Sequence, residues 1–209
     1  MQFTKTIKRL HALGGDNWEI YKLARQMVAD GQDVIELAIG EPDVPPPDYL
    51  VDATVEALKA GRTGYSPGAG EDTLRNALAM RYSKSSGRAI DAEQILCFPG
   101  TQTALYAVMR AIAGEADEVL VGDPMYATYG PVIAAAGART VPIPLKAENG
   151  FRLSAADVEA RLTPATKVLF LNSPHNPTGA VLTAKDVAEL GALAKRHDLW
   201  ILADEVYEE

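Results

Sequence analysis

The sequence predicts an α/β fold: a mostly parallel sheet flanked by helices in three α/β/α layers. Strand-like and helix-like stretches alternate regularly from Gln94 onward, the pattern of a parallel sheet whose crossovers are helices. Two apolar runs, in Lys167 to Gly179 (KVLFLNSPHNPTG) and Leu199 to Tyr207 (LWILADEVY), stop abruptly on polar residues. Strands buried on both faces look like this where they end in a site.

The elements follow in order. Asp16 to Asp30 carries Tyr21, Ala24 and Val28 at helical spacing, with Asp16 as N-cap and Gly31 as stop. Val34 to Ile39 reads as a short strand, ended by GEPDVPPP, where Gly40 permits unusual dihedrals and the prolines prevent regular structure. This stretch sets the expected boundary between residues 1–47 and 48–209. Asp48 to Ala60 and Glu71 to Ser85 are helices, the second with Leu74, Leu78 and Tyr82 on one face, and the glycine-rich GRTGYSPGAG joins them. Then come a strand at Gln94 to Phe98, a helix at Thr101 to Ala113, a strand at Glu118 to Val121 and a helix at Ala127 to Ala136. A strand at Thr140 to Leu145 precedes a helix at Ser154 to Leu162, which opens on the box Ser154/Asp157. After the strand Lys167 to Leu171, a helix at Thr183 to His197 opens on Thr183/Asp186 and turns Val187, Leu190 and Ala194 inward. Leu199 to Ala203 is the last strand.

Composition bounds the function. The chain has 209 residues, 47% hydrophobic, with 28 acidic against 20 basic side chains and a net charge of -8. An acidic surface does not attract a polyanion, so nucleic acid is not expected as a partner. One cysteine, Cys97, excludes an internal disulfide, and MQFTKTIKRL lacks the apolar core of a signal peptide, so a cytoplasmic protein is expected. No run approaches the roughly 20 apolar residues that cross a bilayer, so no membrane association is expected. Cys97 and Trp200 read as packing residues and His175 as a loop residue, and no metal site is expected.

Ligands of such sheets bind at the carboxyl ends of the strands. After Phe98, the stretch PGTQTALY lets Gly100 turn the backbone and Thr101, Gln102 and Thr103 open a helix, whose free N–H groups suit a phosphate as well as they suit an ordinary cap. Asp204 follows Ile201, Leu202 and Ala203; a carboxylate leaving an apolar strand needs a cation or several donors, unless it caps a helix. Asn176 sits between Pro174 and Pro177, and Tyr126 and Tyr129 offer flat faces beyond Asp123-Pro124. A phosphate cradle, a ring face, a neutral donor and a buried acid together suit a phosphorylated aromatic heterocycle with a basic nitrogen.

The pieces IGEPD, GYSPGAG, PGTQTALY, DPMYATY, NSPHNPTG and LADEVY, in this order, resemble the class I/II aminotransferases, which are fold-type I pyridoxal-phosphate enzymes. The resemblance covers nearly the whole chain. It implies a fold like the large domain of those transferases, truncated: residues 1–47 would be an N-terminal arm and part of the small domain, and 48–209 an incomplete cofactor-binding domain. It implies that pyridoxal 5'-phosphate is the cofactor and that Asp204 keeps its pyridine nitrogen protonated. Asn176 and Tyr207 would bond the phenolic oxygen, Tyr126 would stack on the ring, and Gly100, Thr101 and Gln102 would hold the phosphate. Tyr65 would reach the phosphate of a neighbouring subunit, implying a homodimer, and Gly40 and Asn176 would lie beside the substrate. The implied reaction moves an amino group between an amino acid and a 2-oxo acid. ENGFR, NSPHNPTG and HDLWILADEVY are most similar to the arginine:pyruvate and aspartate types.

In the family the Schiff-base lysine and the carboxylate-binding arginine lie beyond the position of Glu209, so this chain alone is expected to be inactive. Lys84, Lys167, Lys185 and Lys195 read as solvated or capping residues. A carbon–sulfur lyase with the same cofactor residues is the alternative enzyme, separated by whether loss of the amino donor depends on a keto acid. A non-catalytic cofactor-binding module would bring a basic DNA-binding region, and residues 1–47 show no such excess of charge. A plain nucleotide-binding domain lacks its G-x-G-x-x-G turn.

Overall fold

The computed structural model describes residues 2–14, 18–37 and 39–208. The chain divides into two compact units, Met1–Gly15 with Phe98–Glu209, and Asp16–Cys97. The boundary expected at 47/48 falls inside the second unit.

In chain order the helices and strands are α1 (Lys5–Ala12), α2 (Glu19–Ala29), α3 (Asp48–Lys59), α4 (Asp72–Ser86), α5 (Thr101–Ile112), β1 (Glu118–Asp123), α6 (Tyr129–Ala136), β2 (Arg139–Pro144), α7 (Ala155–Glu159), β3 (Thr166–Asn172), α8 (Ala184–Arg196) and β4 (Trp200–Asp204). Helix α1 was not foreseen: Thr4 caps it and it packs against α6. The expected N-cap Asp16 lies outside the described residues.

The four strands among the described residues are parallel, in the order β2-β1-β3-β4. Alternate residues of the central strands point to opposite faces, as strand geometry requires. Val119, Val121, Val168 and Phe170 pack with α5 and α6 through Leu105, Met109, Val132 and Ile133. Leu120 and Leu169 pack on the other face with Val158 of α7 and with Leu190 and Leu193 of α8. This is the three-layer arrangement that the alternation predicts. At the amino end of β1, buried Glu118 accepts hydrogen bonds from Thr163 Oγ1 at 2.7 Å and Thr166 Oγ1 at 3.4 Å and pairs with Arg139. No helix among the described residues is long and apolar enough to cross a membrane.

Several expectations are corrected. Val34 to Ile39 is not a strand: residues 32–37 and 39 carry no regular structure, and Ile35 and Leu37 are exposed. A β run needs a neighbour to receive its N–H and C=O groups, and among the described residues this stretch joins no sheet. Gln94 to Phe98 is not a strand either. Asp91 caps a 3-10 turn over Ala92–Gln94, and the Cys97 N–H donates to Ala69 C=O at 2.9 Å, so a loop takes the place of a partner strand. Cys97 is accordingly only partly buried. Trp200 is 56% exposed because β4 lies at one edge of the sheet formed by the described residues. Val187 is exposed, whereas Leu190 and Ala194 are buried, so the inward stripe of α8 is narrower than its periodicity suggested. Val28 and Leu74 are likewise exposed.

Within the second unit, the glycine-rich loop is held closely. Gly70 has φ +105°, and a Cβ built there would stand 2.7 Å from Cys97 Cβ and 2.9 Å from its Sγ. Arg75 of α4 ties the same region down by donating to Ile95 C=O at 3.0 Å and to Ala92 C=O. Gly70→Ala therefore combines a backbone conformation that L residues avoid with a steric overlap, and is expected to lose about 2–4 kcal/mol. Gly68→Ala, whose new Cβ would meet nothing within 4 Å, is the control expected to stay near neutral. Urea unfolding of both variants checks the difference.

Candidate active site

The carboxyl ends of β3 and β4 lie side by side, with Asn172 in register with Asp204. Asn172 couples the two ends: its Nδ2 donates to the Asp204 backbone C=O at 2.9 Å, and its Oδ1 accepts from the Asn176 N–H at 2.7 Å. One side chain thus fixes both the strand carrying the acid and the turn carrying Asn176. In that turn the Ser173-Pro174 and Asn176-Pro177 bonds are cis. Asn176 Nδ2 donates to the Tyr207 hydroxyl at 3.3 Å.

Asp204 is buried, at 6% exposure. Its Oδ2 accepts from the Tyr129 hydroxyl at 2.8 Å, and its Oδ1 from the Val206 N–H at a long 3.3 Å. Both donors are neutral. Tyr129 is itself buried, its ring 4.2 Å from that of Phe170 and edge-on to Tyr126 at 5.6 Å. Burial first, and then the hydrogen bond and charge of Asp204, push the Tyr129 phenol far above its ordinary range, so it stays a protonated donor.

These groups border a cavity of about 250 Å³ lined by Thr101, Gln102, Leu105, Tyr126, Tyr129, Asn172, Asn176, Asp204, Val206 and Tyr207. Its volume is near the lower end for small-ligand pockets, roughly 300–1,000 Å³. No lysine, arginine or histidine is among these lining residues. The amino end of α5 borders the same cavity through Thr101 and Gln102. Gly100 caps it at φ 90° and ψ 148°, a conformation open to glycine, and no side chain caps the helix. The N–H groups of Thr101 and Gln102 have no acceptor within the helix and carry the positive end of its dipole. The cavity therefore offers both a carboxylate and an anion-binding helix end.

Of the residues singled out in the sequence, the structure brings together Thr101, Gln102, Tyr126, Asn176, Asp204 and Tyr207 around this space, with Gly100 at the head of α5. Tyr65 and Gly40 belong to the Asp16–Cys97 unit; the Tyr65 side chain is fully exposed, and Gly40 is exposed as well. Lys84, Lys167, Lys185 and Lys195 are exposed, as expected. His175 is a loop residue with Nδ1 2.7 Å from Thr178 Oγ1, and burial lowers its pKa. Sequence reasoning missed one residue of the site and the role of another. Asn172 was legible as the first polar residue after the β3 apolar run, and Tyr129, read only as a flat face, is the hydrogen-bond partner of the acid.

The profile of the family described as aminotransferase class I and II matches residues 32–209. The chain is 42% identical over 209 residues to the arginine–pyruvate transaminase of Pseudomonas aeruginosa, a match covering 100% of this chain and 53% of that protein. It is 34% identical over 206 residues to the aspartate aminotransferase of Bacillus subtilis, covering 98% of this chain and 52% of that protein. The fold superposes on the aspartate aminotransferase from Thermus thermophilus with maleate at a TM-score of 0.92 and 33% identity, covering 100% of this chain and 54% of that one. The chain thus spans about half the length of the relatives it matches. With a family match over most of its length and strand ends that carry this set of side chains, the chain belongs to the class I and II aminotransferases, enzymes that depend on pyridoxal 5'-phosphate.

Proposed function

We propose that this chain supplies the cofactor-binding part of an aminotransferase that exchanges an amino group between an amino acid and a 2-oxo acid. The observation that carries the proposal is Asp204: a buried carboxylate on neutral donors, facing a cavity without a cationic side chain. Such a charge is costly until a cation meets it, and a protonated pyridine nitrogen is one. The residues present fit the rest of the cofactor. The Thr101 and Gln102 amides suit its phosphate, the Asn176 and Tyr207 pair suits its phenolic oxygen, and Tyr126, which is partly exposed, can cover its ring. Pyridoxal phosphate, when bound, supplies the electron sink that makes amino exchange feasible. Asp204 would sustain that sink by holding the nitrogen's proton, while Asn176 and Tyr207 would hold the ring's phenolic oxygen.

For substrate we propose arginine with pyruvate first and aspartate second, on the strength of the relatives' names. The lysine that binds the cofactor covalently is expected outside this chain's cavity, so the 209 residues alone should not turn over. We place Tyr65 at a homodimer interface, supported by its full exposure and by its glycine-rich loop. The test uses the complete protein loaded with pyridoxal phosphate and supplied with arginine or aspartate, with its mass in solution measured alongside. Donor loss should require a 2-oxo acid and yield the matching amino acid. Donor breakdown without an acceptor would replace the proposal with a lyase.

A further inference from the structure

We infer that Tyr129 is a positioning residue for the cofactor: its hydroxyl engages Oδ2 of Asp204 so that the carboxylate is held in one orientation and keeps its charge for the cation in the cavity. The inference rests on the cofactor reading above.

Three features of the site converge on it. The 2.8 Å hydrogen bond is the stronger of the two that hold the Asp204 carboxylate, the Val206 N–H being 3.3 Å away. Without Tyr129, only the longer Val206 backbone hydrogen bond would hold the carboxylate's torsion. The donor is neutral. An arginine or lysine in its place would satisfy the carboxylate by itself and remove the reason for a cationic ligand to bind, whereas a phenol lowers the cost of burial and leaves the charge. The donor is also rigid. Phe170, in the middle of the sheet and 1% exposed, stacks at 4.2 Å on the Tyr129 ring, and Tyr126 braces it edge-on. The elevated phenol pKa, caused by burial and by Asp204, keeps the proton on Tyr129 at any working pH, so the pair does not turn into two facing anions.

The rival account is that Tyr129 is a core residue whose hydroxyl merely found an acceptor. Tyr129→Phe separates the two, because it keeps the ring between Phe170 and Tyr126 and removes one oxygen. The complete protein is prepared without cofactor as wild type, Tyr129→Phe, Asp204→Asn and the double variant. Pyridoxal phosphate is titrated into each, and the induced circular dichroism of the bound cofactor is recorded. A hydrogen bond to a charged group predicts about tenfold weaker binding for Tyr129→Phe and an altered dichroism signal. In the Asp204→Asn background the same change should add little, since the two side chains act through one interaction. Wild-type affinity and dichroism in Tyr129→Phe, with affinity lost in Asp204→Asn, would overturn the inference and leave the cofactor reading standing. Equal, independent losses in the two backgrounds would overturn it as well, by assigning Tyr129 to packing. Wild-type affinity in Asp204→Asn would instead remove the reading on which the inference rests.

Discussion

Asp204→Asn in the complete enzyme is expected to weaken retention of pyridoxal phosphate by about a hundredfold to ten-thousandfold, as loss of one partner from a buried ion pair costs about 3–5 kcal/mol. Amino transfer should fall at least as far. Asparagine keeps the shape and can still accept from Tyr129, so the change isolates the charge. The same substitution should leave the cofactor-free protein as stable as before, or more so. In that state the carboxylate is buried on neutral donors alone, and neutralising it relieves a desolvation cost. Dialysis followed by absorbance of the retained cofactor, and thermal unfolding of the cofactor-free form, give the two readouts. Undiminished retention together with undiminished turnover contradicts the assignment.

Glu118→Ala should behave in the opposite way. It strips the acceptor from Thr163 and Thr166, two hydroxyls at the amino end of the sheet, and from Arg139. The expected loss is about 2–4 kcal/mol of folding stability, most of it from the buried Thr166 and the part-buried Thr163 bond and little from Arg139, which is 69% exposed and screened by water. Glu118→Gln, which can still accept from both threonines, should lose clearly less. Affinity for pyridoxal phosphate should not change in either variant. Denaturant unfolding and cofactor titration of the same samples check both halves; a cofactor defect in Glu118→Gln would show that the two ends of the sheet are coupled.

The sheet was legible because its strands advertise themselves by continuous apolar runs, and the site because two of these runs end in polar stretches that carry Asn176 and Asp204. From Thr101 onward the elements followed the sequence pattern closely, as did the helices α2, α3 and α4. Two earlier stretches did not: Val34 to Ile39 and Gln94 to Phe98 have strand composition, yet a strand exists only where a neighbour accepts its hydrogen bonds, and no local pattern names that neighbour. The exposure of Trp200 escaped for a related reason, since edge position is a property of strand order and not of the residues along one strand. Asp204, Asn176, Tyr207 and Thr101 could be picked out by residue type at an element's end. The role of Tyr129 could not be read this way, because it comes from an interaction with a residue 75 positions away.

Strand β3 runs from Thr166, which touches the Glu118 carboxylate, to Asn172, which grips Asp204. At about 3.3 Å per residue the two polar clusters stand roughly 20 Å apart, beyond the range within which substitutions influence one another, about 7–10 Å. For directed evolution this separation is an asset. Changes around Asn176 and Tyr207 that reshape specificity at a cost in folding can be combined with compensating changes around Glu118, screened apart and merged afterwards, because their free energies should sum.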